Sequence, residues 1–323
     1  MRFFATPGEL RKRGVLGMNQ RNADYIMRYN PRRLYPLVDN KLETKKLALE
    51  SGIAVPELYG VVAIEHQVQE MASILADHQA LVIKPAHGSG GNGILVIDSR
   101  MGKFFRKANG SLLSIEAIQH HTSNILSGMY SLGGLPDKAI LEYRVDFDPM
   151  FERISYQGVP DIRIIVFKGI PAAAMTRLPT RDSDGKANLH QGAVGLGINI
   201  ATGETTNAVH HNHLVDQHPD TGYATSGIVI PHWDNILRLA TQCADTVGLG
   251  YLGVDIVIDR KLGPLMLELN ARPGLTIQLA SGQGLLSNLH KIEAYPHLPT
   301  EMDARIEFAK GLQQPADSSQ EIN

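Results

Sequence analysis

Two runs of alternating aliphatic residues, YLGVDIVID and PLMLELN, are separated by about four residues, Arg260 to Gly263, a common β-hairpin spacing. Pairing Asp259 with Pro264 then sets Asp255 opposite Glu268 and Asn270 opposite Gly253. Strand side chains alternate between faces, so Asp255, Glu268 and Asn270 project from the same side. Opposed residues hold their Cβ atoms about 5 Å apart, where two carboxylates repel. A divalent cation cancels that repulsion, and two carboxylates with one amide form an oxygen-only set suited to Mg²⁺. The competing explanation is an edge hairpin whose solvent face happens to be acidic. Val254, Ile256, Ile258, Leu265, Leu267 and Leu269 give the other face a continuous apolar stripe, and three aligned oxygen donors favour the metal.

A second constraint is the segment VIKPAHGSGGNGILVI, which reads as a strand, a glycine-rich loop and another strand. Gly88, Gly90, Gly91 and Gly93, with Ser89 among them, let backbone N–H groups approach phosphate oxygens. Lys84 ends the first strand with its ammonium free to reach a phosphate. The loop lacks the GK[ST] ending of a Walker loop, and the strand that follows it excludes a dinucleotide-binding helix. Taken alone, such a loop reads as a flexible turn, and Lys41 in DNK as a solvated lysine.

With 323 residues, 43% hydrophobic and 20% charged, the chain can build one large α/β unit or two to three small domains. A formal charge of −2 exerts no global pull toward nucleic acid or an anionic membrane. A solitary Cys243 excludes an internal disulfide, fits a reducing compartment and reads as a core residue. MRFFATPGELRKRG lacks the apolar centre of a signal peptide, and no apolar run approaches the roughly 20 residues that span a bilayer. The expected location is the cytoplasm.

Texture divides the chain into a basic helical N-terminal arm over 1–38, a helix-and-strand region over 39–144, a second such region over 145–300, and a tail over 301–323. The arm's arginines form a solvated face or a guide for an anionic substrate. DNKLETKKLALESG predicts a helix with Asp39 as N-cap and Gly52 as its stop. ELYGVVAI and ALVIKP predict strands around a helix near 66–77, and residues 99–135 form an insertion with a helix at about 111–127. AILEYRV resumes a strand, and DIRIIVFKGIPAAAMTRL is hairpin-like. A two-residue turn at Lys168–Gly169 puts Arg163 and Arg177 on opposite faces; a three-residue loop puts them on one face, with Arg177 opposite Asp161. A polar glycine-rich loop spans about 179–227, a helix runs from Trp233 to about Val247, and another lies near 283–291. The end, PADSSQEIN, reads as frayed.

Taken in order, DNKLETKKLALESGIAVP, VIKPAHGSGGNGI, AILEYRV, DIRIIVFKG, ANLHQGAVG, GYLGVDIVI and LELNARPGL resemble the ATP-grasp superfamily, specifically RimK-like α-L-glutamate ligases and the sugar-transfer-associated branch. MNQRNADYIMRYNPRRLY and HPDTG with IPHWDNIL look like the latter. The resemblance implies an α/β (α+β) ATP-grasp fold in which two α/β subdomains clamp ATP. Only about forty residues precede Lys41, so the pre-grasp region of the glutamate ligases is truncated here. By the same resemblance Lys41 and Lys84 contact ATP phosphates, with the glycine loop around them. Glu142 and Tyr143 form the hinge that reads adenine, the Tyr143 backbone contributing. Asp255, Glu268 and Asn270 hold Mg²⁺, with Mn²⁺ as an alternative. Arg163 and Arg177 stabilise the transferring phosphoryl group or an acyl-phosphate, and Asn188 and His190 lie near the γ-phosphate or the acceptor carboxylate. Arg272 in NARPG contacts a substrate carboxylate or packs against the adjacent loop.

The implied activity is ATP-dependent carboxylate–amine ligation through an acyl-phosphate, with glutamate or a related amino acid added to a small-molecule or peptide carboxylate and ADP released. Phosphoryl transfer to a hydroxyl and a non-catalytic ATP-sensing module are the rivals. His210, His211, His213 and His218 crowd one loop with H-x-H spacing that suits a transition metal. No carboxylate or cysteine accompanies them in a helix or strand frame, so they read as exposed loop histidines.

Overall fold

The computed structural model describes residues 6–88, 90–131 and 133–313. Ser89 and the PADSSQEIN tail lie outside these residues. Two antiparallel sheets organise the chain. The first contains β1 (Leu58–Val62), β2 (Leu81–Pro85), β3 (Leu95–Met101), β4 (Phe104–Lys107), β5 (Leu112–Leu113) and β6 (Ala139–Tyr143), in the order β1-β6-β2-β3-β4-β5. Its Leu81, Ile83, Ala139 and Leu141 pack on Val68, Met71 and Leu75 of the His66–Asp77 helix and Ile118 and Ile125 of the Ile115–Leu126 helix. The alternate residues, Lys84, Ile140 and Glu142, therefore face the other way.

β7 (Asp161–Phe167), β8 (Ile170–Leu178), β9 (Val194–Ile198), β10 (Thr205–His210), β11 (His213–Leu214), β12 (Tyr251–Asp259) and β13 (Gly263–Asn270) make the second sheet, ordered β11-β10-β9-β8-β7-β12-β13. Its core face is covered by the Trp233–Val247 helix, which buries Ile236, Leu237, Ala240 and Cys243. Chain between the sheets is held at Asp259, whose Oδ2 accepts the Tyr143 hydroxyl at 3.0 Å and the Asp146 N–H at 2.9 Å.

Several expectations are corrected. Asn40, not Asp39, caps the Lys41–Glu50 helix, accepting the N–H groups of Leu42 and Glu43; Asp39 belongs to the preceding helical turn, Pro36–Asp39. The insertion carries β4 and β5 as well as its helix, extending the first sheet at one edge. Within the expected loop at 179–227 lie three strands. Gly195 and Gly197 resemble loop residues, yet β9 is buried throughout. At Gly197 a Cβ would stand 2.5 Å from Ser281 Cα, so glycine is what lets the Ile277–Ser281 helix rest on this strand.

Described parts of the N-terminal arm and of the 301–313 stretch pack into the second sheet's core. Leu16, Tyr25, Ile26 and Val38 of the basic arm enter the second sheet's core. Asn30 clamps the start of β12, donating to Tyr251 O at 2.7 Å and accepting Tyr251 N–H at 2.8 Å. In the expected tail, Met302–Gly311 is a helix that buries Ile306 and Ala309 in the same core. No helix among the described residues is long and apolar enough to cross a membrane.

Candidate active site

The hairpin of β12 and β13 brings Asp255 opposite Glu268 and Gly253 opposite Asn270, as its alternation predicts, but by a different route. Asp259 pairs with Gly263 instead of Pro264, closing a three-residue loop in which Asp259 Oδ1 accepts the N–H groups of Lys261 and Leu262 at 2.9 Å. One extra residue on β13, Leu267, sits between Met266, opposite Ile256, and Glu268, and this bulge restores the register at the carboxylates. The apolar stripe divides accordingly. Met266 and Leu269 join Ile256 and Val254 in the main core, whereas Leu265 packs with Val145 and Val257, and Leu267 lies against that smaller group.

β7 and β8 resolve the position of the arginines in a similar way. Lys168 and Gly169 form a two-residue turn, both with positive φ, and Phe167 pairs with Ile170. Ala172 is then the extra residue, beside Pro171, which cannot donate to a ladder. The result is Asp161 opposite Arg177 and Arg163 on the same face. Asp255, next to Arg163 on β12, accepts Arg163 Nε at 2.7 Å and Nη2 at 2.6 Å, and Arg177 Nη2 at 3.0 Å. Arg177 also forks onto both oxygens of Asp161. Burial pushes the Asp255 carboxyl upward, but Arg163 and Arg177 overcome it and hold the group down at about 2. Asp161 moves the other way, to about 6, because burial and then the charge of Asp255 outweigh what Arg177 returns.

Across from this row lies the glycine cradle. Lys84 Nζ reaches Glu142 Oε1 at 2.5 Å, and Lys45 Nζ reaches Oε2 at 2.7 Å, all three side chains being almost fully enclosed. Lys41 follows the helix cap, its own N–H donating to Ala86 O at 2.9 Å. Its Nζ donates to Gly88 O at 2.6 Å and pairs with Glu268 Oε1 at 3.0 Å. Lys41, Lys84, Gly88, Gly90, Gly91 and Glu268 line one pocket. Gly90, Gly91 and Gly93 all have positive φ, and a Cβ on Gly93 would overlap the ring of Tyr130 at 2.6 Å.

Other expected residues are placed less directly. Glu142 offers no free carboxylate, being closed between two ammonium groups, and the Tyr143 N–H already donates to Glu57 O at 2.8 Å. Asn188 Oδ1 accepts His190 N–H at 3.0 Å within its own turn, and its Nδ2 lies 3.9 Å from where a Cβ on Gly90 would stand. The His190 side chain is exposed. Arg272 is exposed and stacks on Tyr35, 4.8 Å from the ring centroid, the packing alternative. Pattern reading missed Asp161, Lys45 and Gln191. The last sends Nε2 to Gly90 O at 3.3 Å, across to the glycine loop. Asp161 was within reach, since the register that unites the arginines names it.

These residues fit a nucleotide with its cation. The cradle is shaped by glycines and rimmed by two lysines, as phosphate requires. Among the described contacts of Asp255, Oδ1 takes a single hydrogen bond and keeps an acceptor site, and Glu268 and Asn270 border it. Asn270 Nδ2 is 3.3 Å from Asp255 Oδ2, so the set converges.

Two sheets with a glycine loop and a carboxylate hairpin between them define an ATP-grasp fold. The family described as sugar-transfer associated ATP-grasp matches residues 20–294, and the chain belongs to it. Biotin carboxylase from Campylobacter jejuni, solved as a β,γ-ATP complex, is similar over 84% of this chain and 49% of its own, at 15% identity and a TM-score of 0.51. The ATP-grasp ligase PsnB with minimal precursor matches 86% of this chain at 15% identity and a TM-score of 0.44. D-cycloserine synthetase DcsG matches 87% of this chain and 73% of its own at 16% identity, with a TM-score of 0.45. The chain spans 62% of the length of PsnB. No curated protein matches it by sequence.

Proposed function

We propose that this chain is an ADP-forming carboxylate–amine ligase that uses Mg-ATP to activate the carboxylate of a small molecule or peptide for attack by an amine. The observation that carries the reading is the double contact of Lys41, to Gly88 O at 2.6 Å on the cradle and to Glu268 at 3.0 Å on the hairpin. One ammonium thus joins the surface suited to phosphates with the surface suited to a cation.

Charge explains why such a site helps. A carboxylate approaching the γ-phosphate brings anions together, and Lys41, Lys84, Arg163 and Arg177 supply fixed positive charge. Each such preorganised group lowers a barrier by about 3–4 kcal/mol. Asp255, Glu268 and Asn270 would hold Mg²⁺, which when bound neutralises phosphate charge. The turn bearing Asn188 and Gln191 would shield the reacting carboxylate from water. Asp161 keeps Arg177 aimed at this row. Glutamate is the first amine to test, and peptide and sugar carboxylates the first acceptors. A reducing cytoplasm fits Cys243.

The test is a screen of amines and carboxylates for Mg-ATP-dependent ADP release, with products weighed by mass spectrometry. A product gaining an amide and losing water supports the ligase. A phosphorylated alcohol would instead establish phosphoryl transfer, and the absence of turnover a sensing module. Glu268→Gln, on a partly exposed side chain, is expected to fold and to lose ADP release by roughly 10²–10³-fold. Full turnover in that variant would remove the cation site.

A further inference from the structure

We propose that Asp182, His210 and His211 form a binding site for a divalent transition-metal ion of the zinc type, which fastens the loop carrying Asn188 and Gln191 to the β10–β11 hairpin. His210 ends β10, His211 opens the following turn, and Asp182 comes from the loop after β8. The carboxylate missing from the histidine-rich stretch is therefore supplied from another part of the chain.

The distances suit a metal. His211 Nε2 lies 3.3 Å and His210 Nε2 3.7 Å from the same oxygen, Asp182 Oδ2, and one ligand atom from each residue falls within 4.8 Å of the others. Tetrahedral bonds of about 2.0–2.1 Å to nitrogen and oxygen hold ligand atoms roughly 3.3–3.4 Å apart. The set needs only small adjustment to close on an ion.

An independent observation is the state of His210. Its Nε2 is shut off from solvent and has no hydrogen-bond partner among the described residues, since 3.7 Å is too long for one. A hydrogen-bonded ion pair accounts for His211 with Asp182 but leaves this nitrogen unexplained. Two imidazolium rings with centroids 4.2 Å apart would also repel each other. A bound cation takes two neutral imidazoles and one carboxylate, satisfies the buried nitrogen and leaves a fourth position for water. His218 is excluded as a ligand: Nε2 is 3.0 Å from Pro179 O, and Nδ1 accepts the Asp220 N–H at 3.3 Å.

Gly192 packs the cluster against the loop, for a Cβ there would stand 2.9 Å from Asp182 Cβ and 3.3 Å from His211 Cε1. That loop delivers Gln191 to Gly90 O. Metal at Asp182 would thus set the position of the turn above the glycine cradle without touching it.

The experiment uses tag-free protein stripped with chelator and titrated with Co²⁺, then Zn²⁺. One Co²⁺ per chain with the intense visible bands of a tetrahedral site, displaced by Zn²⁺, is expected, together with a rise in Tm on adding Zn²⁺. Asp182→Asn, His210→Ala and His211→Ala should each weaken binding by roughly tenfold or more, at least the effect of losing a group that merely supports a ligand. Asp182 is exposed, so Asp182→Asn keeps the test valid where a histidine variant fails to fold. No binding, or unchanged affinity and Tm response in folded Asp182→Asn and His211→Ala, would overturn the site.

Discussion

At the residue scale, the buried carboxylates are the groups that most reward perturbation. Glu142 stands between Lys84 and Lys45, with burial pushing its pKa up and the two lysines bringing it below the usual carboxylate value. A folded-state pKa below that of the unfolded chain means stability that is fully present above the ordinary value of 4.5 and is lost as pH falls through the lower, folded value. Glu142→Gln leaves two buried ammonium groups without a counter-charge and is expected to cost about 3–5 kcal/mol near neutral pH. Urea unfolding at pH 7 and in the acid range checks both parts: the variant should be weaker at pH 7 and lose less on acidification. On the facing sheet, Arg163→Lys should keep much of the fold but lose the bidentate grip on Asp255. ADP release is expected to fall by roughly 10²-fold, read against the unfolding midpoint of the same variant.

Elements position these residues through small irregularities. The bulges at Leu267 and Ala172 each insert one residue, and each sets a side chain of the candidate site on the face that bears Asp255. Deleting Leu267 would straighten β13 while leaving Glu268 opposite Asp255, so such a protein should keep cooperative unfolding, as judged by near-UV circular dichroism during thermal melting. β9 shows the opposite demand, for closeness. Gly197→Ala would drive a methyl group into the backbone of Ser281 and Ala280, and should destabilise by about 1–3 kcal/mol in urea unfolding.

For the whole molecule, the second sheet's core is completed by described residues from the first forty of the chain and from the Met302–Gly311 helix. Tyr25 and Tyr29 meet Phe167 edge-on, with centroids 5.4 Å and 5.0 Å away. Asn30→Ala would strip both partners from the backbone of Tyr251 and should cost about 1–3 kcal/mol. Hydrogen exchange at β12 is the direct measure, and faster exchange there, with the first sheet unchanged, is the expected result. Side chains, Lys41 of the Lys41–Glu50 helix with Glu268 of β13 and Tyr143 of β6 with Asp259 of β12, link the region of the first sheet to the second, whose apolar core is separate.

Alternating residues determined much by themselves. The period of two put Glu268 and Asn270 on one face of PLMLELN and Asp255 among the alternating residues of YLGVDIVID, and the spacing of glycines after Lys84 marked the cradle, because strand alternation and glycine's backbone freedom are local properties. Tertiary structure decided the rest. Which residue bulges depends on the competition between a turn's own geometry and the burial of two sheet faces, so neither Leu267 nor Ala172 could be picked out in advance. The pairing of Glu142 with Lys84 and Lys45, and of Asp182 with His210 and His211, joins groups far apart in the chain. Such partners are chosen by the electrostatic cost of burial, which exists only once the fold has excluded water.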